Sequence, residues 1–192
     1  MLGYLSTARK AKLRTIVQSR QFRMLVASIS VGVMAGSFIA LVRLKLGMPG
    51  HKAFFWMTPV LIARLRGGCK IGTTAGGLFA ALTTYSLGAN LAGGVTGLPM
   101  IVLAGAILDW TVNLLEKNKM SGLRMLLVLG LAGLAANLVC LVKRIILPAG
   151  LSPHFIFGVS DFWFRLVSYA FFGLISGIVA YVCSVTLRKT PK

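Results

Sequence analysis

The chain has 192 residues, of which 57% are hydrophobic and only 12% are charged, and its mean hydropathy is +0.85. Soluble domains carry about 25% charged residues, so this composition excludes an ordinary soluble fold and predicts a single integral membrane domain. The formal net charge of +18 comes from Lys and Arg in short clusters between apolar runs, a pattern typical of membrane topology and not of nucleic-acid binding.

The first 23 residues form a basic segment with six Lys or Arg interleaved with apolar side chains. This pattern is typical of a helix that lies on an anionic inner leaflet, and equally of a positive anchor that fixes topology. A six-span membrane domain is expected over 24–187, followed by a basic tail at 188–192. Both terminal segments are expected in the cytoplasm.

Five apolar runs approach or exceed the roughly 20 residues that a helix needs to cross a bilayer. They lie at 24–42, 71–87, 98–115, 123–142 and 162–187. A sixth run, 53–63, is short and contains Pro59. If it crosses and the N-terminus is inside, the inner segments carry 15 Lys and Arg and the outer loops 5; if it does not cross, the inner side carries 8 and the outer side 12. The positive-inside rule therefore predicts an all-α bundle of six transmembrane helices in the plasma (inner) membrane, with both termini cytoplasmic.

Small residues recur every four positions along the first span, at Ser28, Gly32, Gly36 and Ala40. Such ridges allow the backbones of two membrane helices to approach closely. In spans 3, 5 and 6 similar ridges favour packing inside the bundle. The ridge of span 1 runs the whole length of its helix, so it either packs internally or docks on a different protein, and we predict docking.

Asp109, Asn113 and Glu116 share one face of span 4. A carboxylate inside the membrane costs several kcal/mol unless it is paired. The nearest basic loop is 64–70, so the simpler interpretation is an ion pair or hydrogen bond that ties this loop to span 4. The alternative is a role in coupling to a cytoplasmic partner.

Both histidines fall in outer loops of this topology, and aromatic residues lie next to each of them. The middle outer loop, SLGANLAGGVTGLP, is uncharged and rich in glycine. Apolar walls with a few placed polar groups are typical of ligand sites. The candidate substrate-binding residues are His51, Trp56, Asn90, His154, Asp161 and Trp163. The alternative is that His and Trp only mark the membrane interface, where aromatic side chains concentrate.

The Pro49-Gly50 turn is expected to place His51 over the mouth of this pocket, with Trp56 below it as an apolar wall. Lys52, Arg43 and Lys45 add positive potential, which favours an anionic or carboxylated ligand. No catalytic residue, metal or cofactor is predicted: Asp109 and the histidines lie on opposite sides, and two His and one Asp on separate loops are a weak metal signal. The three scattered cysteines indicate neither a disulfide framework nor a zinc site.

Over nearly its whole length the chain resembles the substrate-binding S components of energy-coupling factor (ECF) transporters. The resemblance rests on the chain length, the six spans with both ends inside, the ridge of span 1, and the stretches GTTAGGLFAAL and LPMIVLAGAILDWTVNLL. It implies outer loops that cap a vitamin or similar micronutrient, a first span that docks on a membrane coupling protein, and two cytoplasmic ATPases that supply energy. No vitamin-specific signature is present and the ridge has only one alanine, so the substrate stays open.

We therefore expect a non-enzymatic, substrate-binding membrane subunit of a micronutrient importer. Its partners would be a small molecule, the coupling protein with its ATPases, and the lipid bilayer, but no nucleic acid. The alternative is a small structural subunit of a larger membrane complex that uses its small-residue helix faces for assembly.

Overall fold

The computed structural model describes residues 20–42, 48–91, 95–146, 155–156 and 159–189. Six α-helices account for most of these residues. They are α1 (Arg20–Val42), α2 (His51–Leu65), α3 (Gly72–Ser86), α4 (Leu98–Lys117), α5 (Gly122–Ile146) and α6 (Asp161–Lys189). A single 3-10 turn, Val95–Gly97, precedes α4. The two-residue strands β1 (Phe155–Ile156) and β2 (Val159–Ser160) pair antiparallel just before α6. Most of the predicted basic segment 1–23 lies outside the described residues.

Four helical stretches are long and apolar enough to cross a membrane, which fits a membrane protein. They are Gln21–Val42, Leu98–Lys117, Gly122–Val142 and Phe162–Leu187. Helices α2 and α3 have 15 residues each. At 1.5 Å per residue each is about 22 Å long, less than the roughly 30 Å of a hydrocarbon core.

Helices α1 and α3 run parallel in direct contact, and α2 packs against both in the antiparallel direction. Along α1, Gly32 lies against Gly76 and Gly36 against Ala80, so the two helices advance together. On α2 the order is reversed, because Trp56 contacts Gly77 whereas Arg64 contacts Gly72. The short helix α2 therefore lies beside the middle of its longer neighbour α1, from the depth of Ser28 to that of Phe38.

The remaining helices continue the alternation. Helix α4 is antiparallel to α3, and α5 is antiparallel to α4 because the Cys140 Sγ near its end lies 4.0 Å from the Met100 carbonyl oxygen. Helices α5 and α6 cross antiparallel where Gly133 meets Gly173. Consequently α1, α3 and α5 begin at one end of the bundle, which we call the basic end, and α2, α4 and α6 finish there. The other is called the opposite end.

The core lies around α2, which packs against α1, α3, α4 and α6. Trp56 is 1% exposed, and Met57, Val60 and Leu61 are fully buried. This position explains why the short run 53–63 is apolar on nearly every face.

The small-residue ridge of α1 is an internal packing surface in this structure. Ser28 and Ala40 are buried. A Cβ atom at Gly32 or Gly36 would overlap the backbone of α3, because the backbones of α1 and α3 are too close there to leave room for a side chain. The sequence predicts that this ridge docks on a different protein. In the structure the ridge instead packs inside the bundle, which was the alternative. The same close approach, between Gly133 and Gly173, explains the ridges of spans 5 and 6.

Candidate functional site

A cluster of polar side chains lies where α2 ends, α3 begins and α4 approaches the basic end, and two of its members, Arg64 and Asp109, are buried. We call it the Arg64 cluster; its side chains are Arg64, Thr74, Asp109, Asn113 and Glu116. The i, i+4, i+7 spacing on α4 turns its three members to one face, as the sequence predicts. The surrounding core side chains of α2 and α4 are apolar, so these polar groups depend on one another for partners.

Asp109 caps the first turn of α3 from a different helix. Its Oδ1 accepts from the Thr73 backbone N–H at 2.9 Å, and its Oδ2 accepts from the Thr74 backbone N–H at 2.8 Å and the Thr74 hydroxyl at 2.7 Å. The residue before α3 is Ile71, whose side chain makes no cap hydrogen bond. The first N–H groups of a helix lack intrahelical partners and carry a partial positive charge, so a carboxylate satisfies both needs.

Arg64 is the cation of the cluster, and it is only 1% exposed. Its two terminal nitrogens donate to both carboxylate oxygens of Glu116, at 2.8 and 3.1 Å, and to the Asn113 side-chain oxygen at 2.6 Å. Its Nε lies 3.7 Å from Asp109 Oδ1, which is an ion-pair distance but too long for a hydrogen bond. This fork-to-fork geometry with a carboxylate is one that Arg provides and Lys does not.

The cluster ties the α2–α3 loop to α4, which confirms the simpler interpretation of Asp109. Both oxygens of Asp109 are occupied by donors, and its side chain is 4% exposed, whereas the Glu116 side chain is 51% exposed at the basic end. A carboxylate that is fully engaged in capping is not positioned to pass a proton along a chain of groups. Among the described residues, no three His, Cys, Asp or Glu side chains lie close enough to hold a metal ion.

The predicted substrate site lies at the opposite end, and the structure packs its central histidine differently from the expectation. Gly50 adopts a left-handed φ of 81° before α2, as the Pro-Gly turn suggests. His51 is then 8% exposed, its Nδ1 contacts the Met48 carbonyl oxygen, and its ring meets Phe172 of α6 edge-on at 6.3 Å. His51 is thus enclosed by its own turn and α6 instead of standing over an open mouth. Trp56 packs in the core against Gly77.

Three segments nevertheless converge at this end. The Lys52 ammonium donates to the Asn90 carbonyl oxygen at 2.7 Å, which joins the start of α2 to the segment after α3. The Ser168 hydroxyl donates to the Pro49 carbonyl oxygen at 2.5 Å, which joins the same turn to α6. Asn90 itself is exposed, so its side chain is open to a ligand.

The other predicted substrate-binding residues are only partly described. Trp163 is 57% exposed on the first turn of α6, and its ring packs against Phe162 at 5.5 Å. Asp161 begins α6, but its side chain lies outside the described part, as does the whole of His154. The described contacts therefore join Lys52 to the Asn90 carbonyl oxygen, and the described contact of Trp163 is with Phe162.

Sequence reasoning missed a groove between α1 and α2, which we call the α1–α2 groove. Its volume is about 570 Å³. Its walls include Met34 and Phe38 of α1, Phe55, Pro59 and Ala63 of α2, and Arg66 just after α2. The apolar periodicity of α1 contains these side chains, but periodicity alone does not separate a groove wall from an ordinary lipid-facing surface.

No protein-family model, curated protein or solved structure matches this chain.

Proposed function

We propose that the chain is a substrate-binding membrane subunit of a micronutrient importer, of the kind that the resemblance to ECF S components implies. The observation that carries this proposal is the convergence at the opposite end. There the turn before α2, the segment after α3 and the first turns of α6 are held together by two hydrogen bonds between segments. Three segments that are fixed beside one another form a rim that can surround a small molecule.

The proposed topology has six transmembrane helices with both termini in the cytoplasm. The alternating helix directions support it, since α1 begins and α6 finishes at the basic end. Among described side chains, those at the basic end are Arg23, Arg64, Arg66, Lys70, Lys117, Lys119 and Arg124. Those at the opposite end are Lys52 and Arg165. By the positive-inside rule the basic end faces the cytoplasm. In this topology the short helices α2 and α3 cross beside the longer helix α1, against which both pack.

The proposed ligand carries a carboxylate or another anionic group. Lys52 and Arg165 are the described cations at this end, and the Lys52 ammonium is held at the rim by its hydrogen bond to the Asn90 carbonyl oxygen, so its positive charge favours an anionic ligand there. Asn90 supplies an amide at the same place, and Trp163 supplies an exposed aromatic face. His154 and Asp161 stay in the proposed site as polar groups of the adjoining segment.

Energy for uptake comes from partners in this proposal, a membrane coupling protein and cytoplasmic ATPases. The sequence contains no G-x-x-x-x-G-K-[ST] phosphate-binding loop. Because the ridge of α1 is packed against α3, the partner docks on another surface. The alternative function, a structural subunit that assembles through its small-residue faces, has less support for the same reason.

Native mass spectrometry of the detergent-purified protein tests the proposal. We expect a co-purified small molecule in near-stoichiometric amount, and we expect Lys52→Ala and Trp163→Ala to reduce its occupancy while the protein stays folded. Lys117→Ala removes a positive charge at the basic end and is the matched control, with unchanged occupancy. Purification from several growth media without any bound small molecule would contradict a substrate-binding role.

A further inference from the structure

The α1–α2 groove is open along its side and apolar along its length. Met34 is 71% exposed and Phe38 is 46% exposed, so α1 leaves one wall uncovered. The rings of Phe38 and Phe55 meet at 5.7 Å and close the groove toward the opposite end. From Phe55 the groove follows α2 past Pro59 and Ala63 to Arg66, a rise of roughly 16 Å at 1.5 Å per residue.

Arg66 places a positive charge at the basic end of this groove. Its side chain is exposed, and within the described part of the chain it makes no ion pair or side-chain hydrogen bond. Few acidic side chains are present to pair with the basic ones, because the chain has 21 Lys and Arg but only 3 Asp and Glu. Two of those acids, Asp109 and Glu116, lie against Arg64. No described acidic side chain pairs with Arg66, so its guanidinium is open to an anion from outside the protein.

An apolar channel that ends at an uncompensated guanidinium has the shape and polarity of an acyl chain attached to an anionic head group. Its volume of about 570 Å³ lies in the range of small-molecule sites, roughly 300–1,000 Å³, and is too small to enclose a partner helix. Arg binds phosphate oxygens through two parallel N–H donors. The basic end also lies where the head-group layer meets the bundle in any membrane orientation, because α1 and α4 are long enough to span.

We propose that the α1–α2 groove is a binding site for an anionic phospholipid of the leaflet at the basic end. One acyl chain lies along Met34, Pro59 and Ala63, and the phosphate accepts hydrogen bonds from Arg66. This site is separate from the proposed substrate site, and it depends only on the protein being embedded in a bilayer.

The test uses nanodiscs made from equal amounts of dioleoyl phosphatidylglycerol and dioleoyl phosphatidylcholine. The protein is released from the nanodiscs in the mass spectrometer, and the lipids that stay bound to it are counted by native mass spectrometry. We expect the parent to retain phosphatidylglycerol in preference to phosphatidylcholine. Arg66→Gln should lower that preference about fivefold, the equivalent of about 1 kcal/mol for a single basic residue at a membrane surface. Ala63→Phe should fill the groove and lower retention of both lipids.

Two control variants match these changes elsewhere on the molecule. Arg124→Gln removes an exposed charge from the basic end of α5, and Leu131→Phe enlarges an exposed apolar side chain of α5. Both should retain lipid as the parent does. Equal losses in Arg66→Gln and Arg124→Gln would overturn the proposal in favour of diffuse charge attraction. A dimer that Ala63→Phe dissociates would overturn it in favour of a second copy of the chain on this face.

Discussion

Replacing Asp109 is the most direct perturbation of the Arg64 cluster. In Asp109→Ala the first N–H groups of α3 at Thr73 and Thr74 lose their acceptors, and buried Arg64 loses one of its two carboxylates. In Asp109→Asn the shape is kept, but one oxygen acceptor becomes an NH₂ donor that faces the donors of α3. We therefore expect both variants to be less stable than the parent, with Asp109→Ala the lower of the two.

The magnitudes follow from burial. Removing one partner of a buried ion pair costs about 3–5 kcal/mol, which applies to Asp109→Ala because Asp109 is 3% exposed. Asp109→Asn should cost about 1–3 kcal/mol, the penalty of a buried donor left without its acceptor. Glu116→Gln is the matched control on the same Arg64. It should cost about 1 kcal/mol or less, because the Glu116 side chain is 51% exposed and water replaces part of the interaction.

Thermal unfolding in detergent can be followed with a thiol-reactive dye. Cys140 is 6% exposed and reacts only on unfolding, whereas Cys69 and Cys183 are half-buried and are first replaced by Ser. At about 2–4 °C per kcal/mol for a chain of this size, Asp109→Ala should melt roughly 10 °C below the parent. A melting temperature equal to that of the parent would refute the inter-helix cap. If Asp109→Asn melted at the same temperature as the parent, a negative charge beside Arg64 would not be needed for stability.

Three further outcomes are expected. Gly36→Leu should abolish folding because its Cβ would enter the backbone of α3, whereas Met34→Leu on the exposed side of α1 should fold normally; detergent gel filtration separates the two. In a cysteine-free background, Asn90→Cys should react with an impermeant thiol reagent in intact cells and Ser121→Cys only after permeabilisation, and labelling of both from one side would contradict the six-span topology. His51→Ala should lower thermal stability by about 1–3 kcal/mol because His51 is 8% exposed, and a melting curve unchanged from the parent would show that its contacts with α6 contribute little.

Helix positions are well predicted by the sequence because apolar runs and charge clusters are local signals. The run 53–63 corresponds to α2 at His51–Leu65, and the run 98–115 corresponds to α4 at Leu98–Lys117. The face shared by Asp109 and Glu116 was also predictable, because a helix places i and i+7 on one side. Each of these features depends on residues within a single segment.

Features that depend on which helix lies opposite were not predictable. The ridge through Gly32 and Gly36 has the same pattern whether α3 or a foreign helix covers it, and only the structure supplies the neighbour. His51 is enclosed because Phe172, far along the chain, reaches it from α6. The α1–α2 groove likewise reflects the spacing of two helices, and the sequence of neither helix specifies that spacing.

The cap of α3 also has a consequence for how the chain enters a membrane. Thr73 is held by a residue 36 positions later, and Arg64 by a carboxylate 52 positions later. During synthesis from the N-terminus, α2 and α3 emerge with a buried cation and a helix start that still lack partners, and neither helix is long enough to span alone. In the proposed six-span topology we therefore expect stable insertion of both to await α4, so that residues 51–117 enter as one unit. A ribosome stalled before Asp109 emerges would leave this part of the chain loosely held and open to proteases.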